Sequence, residues 1–272
     1  MTDPETISLN RAEISPAMLA AAQPYEDRFG DEFNQFIHFS KEEFSRLHAS
    51  DGDPMVLPST VFVASQNEPS ILTDMEVLQH TANASYHEVA MKREYYQKLL
   101  DIYGKLHIHP HDIARDEGTL CVGIEREGRI LAEAMNCLPK NRSMRPHCKR
   151  IPFEGGLLIG LYQASPDEKN YDQCLIVDGA IASGATIMAM MWQLRNTSNS
   201  ISIASVHGPC QGLRAIIRFG RELGLEVNLY VGHATVGLNG KFYAVNPGDG
   251  SLILGDVGDT ISDLEHPSRA HE

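Results

Sequence analysis

From Gly118 onward the chain alternates short apolar runs with stretches of helical spacing. A chain written this way closes a core by laying strands side by side and returning over them with helices. The apolar runs predict strands at about 119–125, 157–162, 173–178, 201–206 and 226–231. Between them, 130–135, 187–194 and 213–223 have the spacing of helices with one buried face. The expected fold class is therefore α/β, with a parallel or mostly parallel sheet flanked by helices. At 272 residues and 42% hydrophobic, the chain holds enough apolar material for one large α/β domain, or a medium domain plus an extension.

Charge narrows the partners. With 23 Lys+Arg against 36 Asp+Glu the formal net charge is −13, which argues against a surface that wraps nucleic acid and leaves any phosphate chemistry to local cations. The longest nearly uncharged apolar stretch, 180–192, is well short of the roughly 20 residues needed to cross a bilayer, so no membrane partner is expected. The start, Met-Thr-Asp-Pro-Glu, lacks the basic and apolar runs of a secretory signal, and a cytoplasmic protein is expected. The five cysteines, Cys121, Cys137, Cys148, Cys174 and Cys210, are an odd set without a CxxC pair and suggest neither a disulfide framework nor a thiolate zinc site.

The first 55 residues read as a separate extension. They carry 11 acidic against 4 basic residues and five of the nine phenylalanines. Phe29, Phe33, Phe36 and Phe39 recur at intervals of four, three and three, which predicts one aromatic helical face, with Phe44 beyond it. Such a stripe docks the extension onto the body, or forms a dimer contact or a lid. Asp-Gly-Asp-Pro at 51–54 makes a turn-rich boundary, giving an acidic N-terminal extension at 1–55 and the main domain at 56–272. The pattern of 73–102 predicts a long helix or a broken pair.

The chemistry is concentrated in Cys-Leu-Ile-Val-Asp-Gly-Ala-Ile-Ala-Ser-Gly-Ala-Thr-Ile at 174–187. An apolar strand ends in Asp178, and a loop of small residues then enters a helix. Ligands of open α/β sheets bind outside the carboxyl ends of strands, where helix N-termini point inward, so Asp178 is expected at a ligand. Small residues at Ala182, Gly184 and Ala185 let backbone N–H groups approach a phosphate, and Ser183 and Thr186 add hydroxyl donors. The pattern is not a Walker loop, since GxxxxGK[ST] and its lysine are absent.

This stretch resembles the phosphoribosyl-diphosphate (PRPP) loop of type I phosphoribosyltransferases, in the Asp-Pro-x-x-Ala-Thr-Gly-Gly-Thr version of uracil phosphoribosyltransferases. Val-Gly-Ile-Glu-Arg-Glu-Gly at 122–128 is similar to the family's strand ending in Arg-Ala-Gly, and Ile-Gly-Leu-Tyr-Gln at 159–163 to its Val-Gly-Leu-Tyr-Arg. Residues 206–213 resemble Val-Ala-Ala-Pro-Glu-Gly-Ile, while Leu229-Tyr230 through Gly-Leu-Asn at 237–239 resemble Leu-Tyr followed by Asp-x-Gly-Leu-Asn. Tyr-Ala-Val at 243–245 and Leu-Gly-Asp-Val-Gly-Asp at 254–259 resemble the closing Tyr-Ile-x-Pro-Gly-Leu-Gly-Asp-Ala-Gly-Asp.

The resemblance implies a type I core over 56–272, with a C-terminal base-binding hood and the helical extension before it. It implies that PRPP is held by Arg126, Asp178, Gly179, Ala182, Ser183, Gly184, Ala185, Thr186 and Asp256. Asp178 and Asp256 would serve catalysis, and Ala244, Gly255, Asp256 and Val257 would line the base. Mg²⁺ would be held by Asp256, directly or through water. A homodimer follows as an expectation, as does uracil as the default acceptor, with a modified pyrimidine or a related heterocycle as the alternative. The departures are Gly179 for proline, Ala185 for the second glycine, Gln163 for an arginine, Thr235 for an aspartate, and extra residues at 248–253 beside the base pocket.

The expected function is transfer of ribose 5-phosphate from PRPP to a nucleobase, giving a nucleoside 5′-monophosphate and pyrophosphate. Gln163 and the altered base loop keep a non-catalytic PRPP- or nucleotide-sensing relative as the alternative. Lys140, Arg142, Arg145, Lys149 and Arg150 form a run that is either solvated or replaces the charge missing at Gln163. His107, His109 and His111 would share one face of an extended strand and suggest a metal triad, behind a third reading as a metal hydrolase. Pro110 interrupts that strand, and a surface loop is the favoured reading.

Overall fold

The structure, a computed structural model, describes residues 7–29, 32–49, 60–66, 70, 97, 101, 110–125, 127–135, 137–138, 142–162, 170–235, 237–238 and 244–245. Its elements run β1 (Ile7–Asn10), α1 (Pro16–Phe29), β2 (Gln35–Ser40), α2 (Lys41–Leu47), β3 (Val61–Val63), α3 (Pro110–Arg115), β4 (Thr119–Gly123), α4 (Glu127–Ala134), β5 (Ser143–Met144) and β6 (His147–Phe153). They continue with β7 (Gly156–Tyr162), β8 (Gln173–Val177), α5 (Ala185–Leu194), β9 (Ser200–Pro209), α6 (Cys210–Glu222), β10 (Glu226–Thr235), β11 (Gly237–Leu238) and β12 (Ala244–Val245). The helical pattern at 73–102 falls almost wholly outside the described residues.

Six strands form one sheet in the order β3-β10-β9-β8-β4-β5. Every neighbouring pair in it is parallel. Strands buried on both faces can be apolar throughout, and Thr119–Gly123 is buried at every position. Alternate residues then serve two layers. Leu120, Val122, Ile124, Cys174, Ile176, Ile201 and Ile203 join Ile187, Met188, Leu213 and Ile216 of α5 and α6 in the main core. The intervening Cys121, Leu175 and Val177 are buried outside that cluster. Right-handed crossovers place α5 and α6, which lead from β8 to β9 to β10, on one face. The β4–β5 crossover runs the other way along the sheet and puts α4 on the opposite face. The expected mostly parallel sheet flanked by helices is thus present.

The run expected at 157–162 is a strand, but not in that sheet. It is β7, central in a second, antiparallel sheet of order β1-β2-β7-β6. Hydrophobic period alone names a strand without naming its neighbours.

The aromatic stripe is also corrected. Phe29 closes α1, Phe33 lies in the connecting segment, Phe36 and Phe39 are on β2, and Phe44 is on α2. Gln-Phe-Ile-His-Phe-Ser satisfies a period of two, and on a strand a spacing of three puts Phe36 and Phe39 on opposite faces. Phe36 packs with Phe33, Ile151 and Leu158 beneath α1, whereas Ile37 and Phe39 face the main core with Ile159 and Leu161. The first segment is therefore a strand–helix–strand–helix unit, and β2 sits between β1 and β7. Ser40 ends β2 and caps α2, its side chain accepting from the Glu43 N–H at 3.1 Å. On the outer side, buried Glu26 accepts from the Arg11 guanidinium and from the Phe33 N–H at 2.9 Å, which fixes the approach to β2. Burial pushes that carboxyl up, but those donors hold it below its ordinary value.

Phe39 is fully buried and meets Phe44 and Phe219 at ring separations of 6.2 and 5.8 Å. Phe39→Ala is expected to lower stability by about 3–5 kcal/mol in urea unfolding. An unchanged midpoint would show that the N-terminal segment does not share the main core.

Candidate functional site

The two halves of the parallel sheet diverge between β4 and β8. From β8 the chain turns toward β9, and from β4 toward β5, so a crevice opens outside the carboxyl ends of these two strands. Gly123 is paired with Val177 at its floor, and the Ile124 N–H donates to the Val177 carbonyl at 3.0 Å. Helix α4 starts against this edge. A Cβ on Gly128 would lie 2.2 Å from the Val177 carbonyl oxygen, so the close approach requires glycine there.

Asp178 follows β8 at this crevice. Its backbone N–H donates to the Ala204 carbonyl at 3.0 Å, which extends the pairing with β9 by one residue. Burial pushes the carboxyl up to about 7, even though the Gly179 and Ala180 N–H groups donate to it and favour the ionised form. A carboxyl poised there takes up or gives up a proton near neutral pH, and accepts hydroxyl donors when ionised. Burial also raises the nearby Cys148 thiol, with the Asp178 charge as a second cause.

The loop after Asp178 is held from behind. The Gly179 carbonyl accepts from the Val206 N–H at 3.1 Å and from the Ser205 hydroxyl at 3.2 Å. The Ile181 N–H donates to the His207 carbonyl at 2.9 Å. Gly184 takes φ +77, a left-handed conformation suited to glycine, and starts α5. Ser183 turns its hydroxyl onto the Ala185 N–H at 3.3 Å. The first turn of a helix offers N–H groups without intrahelical acceptors, together with the positive end of the helix dipole. An acidic group followed by such a turn suits a ligand with hydroxyls next to an anionic group.

A half-buried imidazole and a guanidinium lie behind the loop. His48, at the end of α2, has Nε2 2.8 Å from the Ser183 carbonyl oxygen and Nδ1 2.7 Å from that of Phe44. Burial holds its pKa below the ordinary imidazole value, with the Arg150 and Arg218 charges adding to the effect. Arg218 of α6 donates to the Leu47 and Ala49 carbonyls at 2.9 and 2.6 Å, joining the end of α2 to α6.

The expected site residues separate. Asp178, Gly179, Ala182, Ser183, Gly184, Ala185 and Thr186 form one continuous edge and loop. Arg126, Gln163, Gly255, Asp256 and Val257 lie outside the described residues, although Glu125 and the start of α4 bring the neighbouring chain to the Asp178 edge. Ala244 pairs with Leu238 in a two-stranded ladder.

The basic run does not act as one patch. Arg142 donates to the Asp116 and Thr119 carbonyls at the amino end of β4, away from the crevice, and Arg145 meets Glu133 at 3.7 Å. Arg142 is thereby turned from the crevice, whereas Arg145 follows β5 beside the carboxyl end of β4. Arg150 acts electrostatically on His48, while Lys149 lies 5.8 Å over the Tyr25 ring. Lys140 lies outside the described residues. Pro110 and His111 open α3, so the extended strand needed for a histidine triad is absent there, and His107 and His109 lie outside the described residues. Among the described residues no cluster of three or more His, Cys, Asp or Glu could hold a metal ion. No described helix is long and apolar enough to cross a membrane.

Sequence reading missed His48 and Ser205, because both act on the loop across long sequence separations. The one local hint was the Ser40 cap, which predicts a short helix ending near His48.

No protein-family model matches the chain, and neither does any curated protein. Solved structures do. The AQ2163 protein from Aquifex aeolicus is 19% identical over 74% of this chain and 97% of its own, with a TM-score of 0.53. Adenine phosphoribosyltransferase from Trypanosoma brucei, in complex with AMP, pyrophosphate and ribose-5-phosphate, is 17% identical over 65% of this chain and 85% of its own, with a TM-score of 0.41. Mycobacterium tuberculosis orotate phosphoribosyltransferase, in complex with PRPP, is 14% identical over 62% and 94%, with a TM-score of 0.36. At its identity and TM-score, the likeness to AQ2163 is one of fold.

Proposed function

We propose that this protein is a PRPP-dependent phosphoribosyltransferase that joins a nucleobase to ribose 5-phosphate and releases pyrophosphate. The observation that carries the reading is the order Asp178, small-residue loop, left-handed Gly184 and helix start at the sheet's switch point. That order is the one in which the sequence motif presents an acceptor for ribose hydroxyls and a turn for a 5′-phosphate. The loop N–H groups of 182–186 take the phosphate, and Asp178 accepts hydrogen bonds from ribose hydroxyls. Arg126 holds the diphosphate. Positioning and charge supply most of the catalysis, since the leaving pyrophosphate and the oxocarbenium-like ribosyl centre need little covalent help.

Mg²⁺ suits this site because it is held by one or two carboxylates together with substrate phosphates and water. Asp256 would hold it, directly or through water, with Asp178 as a further carboxylate beside the loop. When bound, the ion offsets the charge of the departing pyrophosphate. The reading carries a cytoplasmic homodimer with it. Residues 243–259, including Ala244, Gly255, Asp256 and Val257, read the base through backbone groups, with uracil or a related heterocycle as acceptor. The second reading, a PRPP or nucleotide sensor without turnover, is favoured by Gln163, where the family pattern has an arginine.

Incubation with Mg²⁺, PRPP and a panel of bases, followed by product mass and pyrophosphate release, is expected to yield a nucleoside monophosphate. PRPP binding without pyrophosphate release would select the sensor, and neither would overturn both readings. Asp178→Asn should weaken PRPP binding about tenfold or more, the loss of a charge-assisted hydrogen bond. Unchanged affinity and turnover would remove Asp178 from the site. Shortening 248–253 should reorder the acceptors with little change in PRPP affinity. Loss of PRPP binding with acceptor order intact would place that loop at the phosphate instead.

The Asp178 shift also makes stability depend on pH. A carboxyl with its folded pKa raised to about 7 keeps a proton that the unfolded chain loses near pH 4. Stability should therefore fall as pH rises between about 4 and 7 and level off above. The fall is about 2 kcal/mol, less than the full linkage because Asp178 retains some exposure. Asp178→Asn should abolish that component of the slope in urea titrations at stepped pH. An unchanged slope would show that Asp178 ionises normally in the folded protein.

A further inference from the structure

The loop that the proposed function assigns to the phosphate is not held by the parallel-sheet unit alone. His48 reaches it from the N-terminal segment, across 135 residues of sequence, with Nε2 2.8 Å from the Ser183 carbonyl oxygen. A carbonyl can only accept, so this contact is a hydrogen bond when Nε2 carries the proton. The second ring nitrogen faces the Phe44 carbonyl at 2.7 Å, and that oxygen also accepts from the His48 backbone N–H at 3.3 Å. Two bonds from the ring require imidazolium, a form that burial opposes most, that the Phe44 and Ser183 carbonyls favour, and that the Arg150 and Arg218 charges oppose further. A ring with Nε2 protonated keeps the long-range bond, whereas one protonated on Nδ1 alone gives it up for the Phe44 carbonyl.

The consequence for the loop follows from peptide geometry. In a trans peptide the carbonyl and the following N–H point in opposite directions. Holding the Ser183 carbonyl toward α2 therefore aims the Gly184 N–H away from α2. The loop is confined from another side as well. A Cβ on Gly212 of α6 would lie 2.0 Å from the Ala182 carbonyl oxygen, and one on Gly184 would lie 2.7 Å from Ile216. Arg218 meanwhile secures the residues around His48 to α6 through Leu47 and Ala49.

We propose that His48 is a positioning residue for the anion loop: its Nε2–H bond to the Ser183 carbonyl orients the Ser183–Gly184 peptide so that the Gly184 N–H faces the phosphoryl group. This inference rests on the phosphoribosyltransferase reading for the identity of the anion, but not for the orientation of the peptide.

The test compares His48→Gln, which can keep a donor, with His48→Met, which fills similar space without one. Ribose 5-phosphate binding is measured by calorimetry, and amide exchange over 183–188 is measured in the unliganded protein. In His48→Met, ribose 5-phosphate affinity should fall about tenfold, the scale of one bond to a charged group, and the Gly184 and Ala185 amides should exchange faster. In His48→Gln both should return toward wild type. Equal loss in both variants, or wild-type binding and exchange in His48→Met, would overturn the proposal. Should His48→Met not fold, nitrogen NMR of the wild-type ring decides: a protonated Nε2 coupled to an acceptor supports the proposal, and an unprotonated Nε2 overturns it. Absence of ribose 5-phosphate binding by the wild type would instead count against the phosphoribosyltransferase reading, leaving amide exchange to judge His48.

Discussion

Strand β8 is enclosed on every side, by β4 and β9 through its backbone and by the layers above and below through its side chains. A strand so enclosed can be apolar along its whole length, but it must end at an edge where backbone polarity returns. In a parallel sheet that return occurs at the carboxyl end, beside the start of the next helix. The divergence of connections on the two sides of β8 and β4 leaves that end uncovered by a crossover. Asp178, the small-residue loop and Gly184 all take their positions from this constraint.

The edge is electrostatically tense. Burial raises the Asp178 carboxyl and lowers His48 and His207, so three titratable groups near the loop are biased toward their neutral forms. Neutral groups cost less to bury, and each is pinned by or close to backbone hydrogen bonds. Those same bonds orient the loop: Ser205 and the Val206 N–H fix Gly179, and His48 meets Ser183. The turn is thus oriented by backbone hydrogen bonds and by largely neutral side chains rather than by a cluster of charges.

The second sheet explains how a distant segment comes to bear on this edge. Strand β2 lies between β1 and β7, and its inward residues Ile37 and Phe39 extend the main core. Helix α2 then starts at a serine cap on the end of β2 and finishes at His48, with Arg218 closing its carboxyl end. The extension and the loop are mechanically joined through α2 and α6.

Much of this was legible in the residues. Strands β4, β8, β9 and β10 of the parallel sheet, the helices α4, α5 and α6 and the acidic strand end followed from hydrophobic period and small-residue chemistry, because those signals are local, whereas the short edge strands β3 and β5 carry no such pattern. The phenylalanine spacing misled, since intervals of three and four fit a helix while Gln35–Ser40 also alternates as a strand, and pairing with β7 decided between them. Residues 157–162 read correctly as a strand, yet only tertiary pairing placed them in the antiparallel sheet. The basic run from 140 to 150 looked like one patch, but Arg142 turns to the far end of β4 and Arg150 toward His48. Sequence by itself determined the strands β4, β7, β8, β9 and β10, the helices α4, α5 and α6, and where an acidic edge meets a small-residue turn. Tertiary structure decided which sheet each strand joins, and that Ser205 and His48 hold that turn. Those contacts span long loops, and their register depends on the packing of whole layers rather than on neighbouring residues.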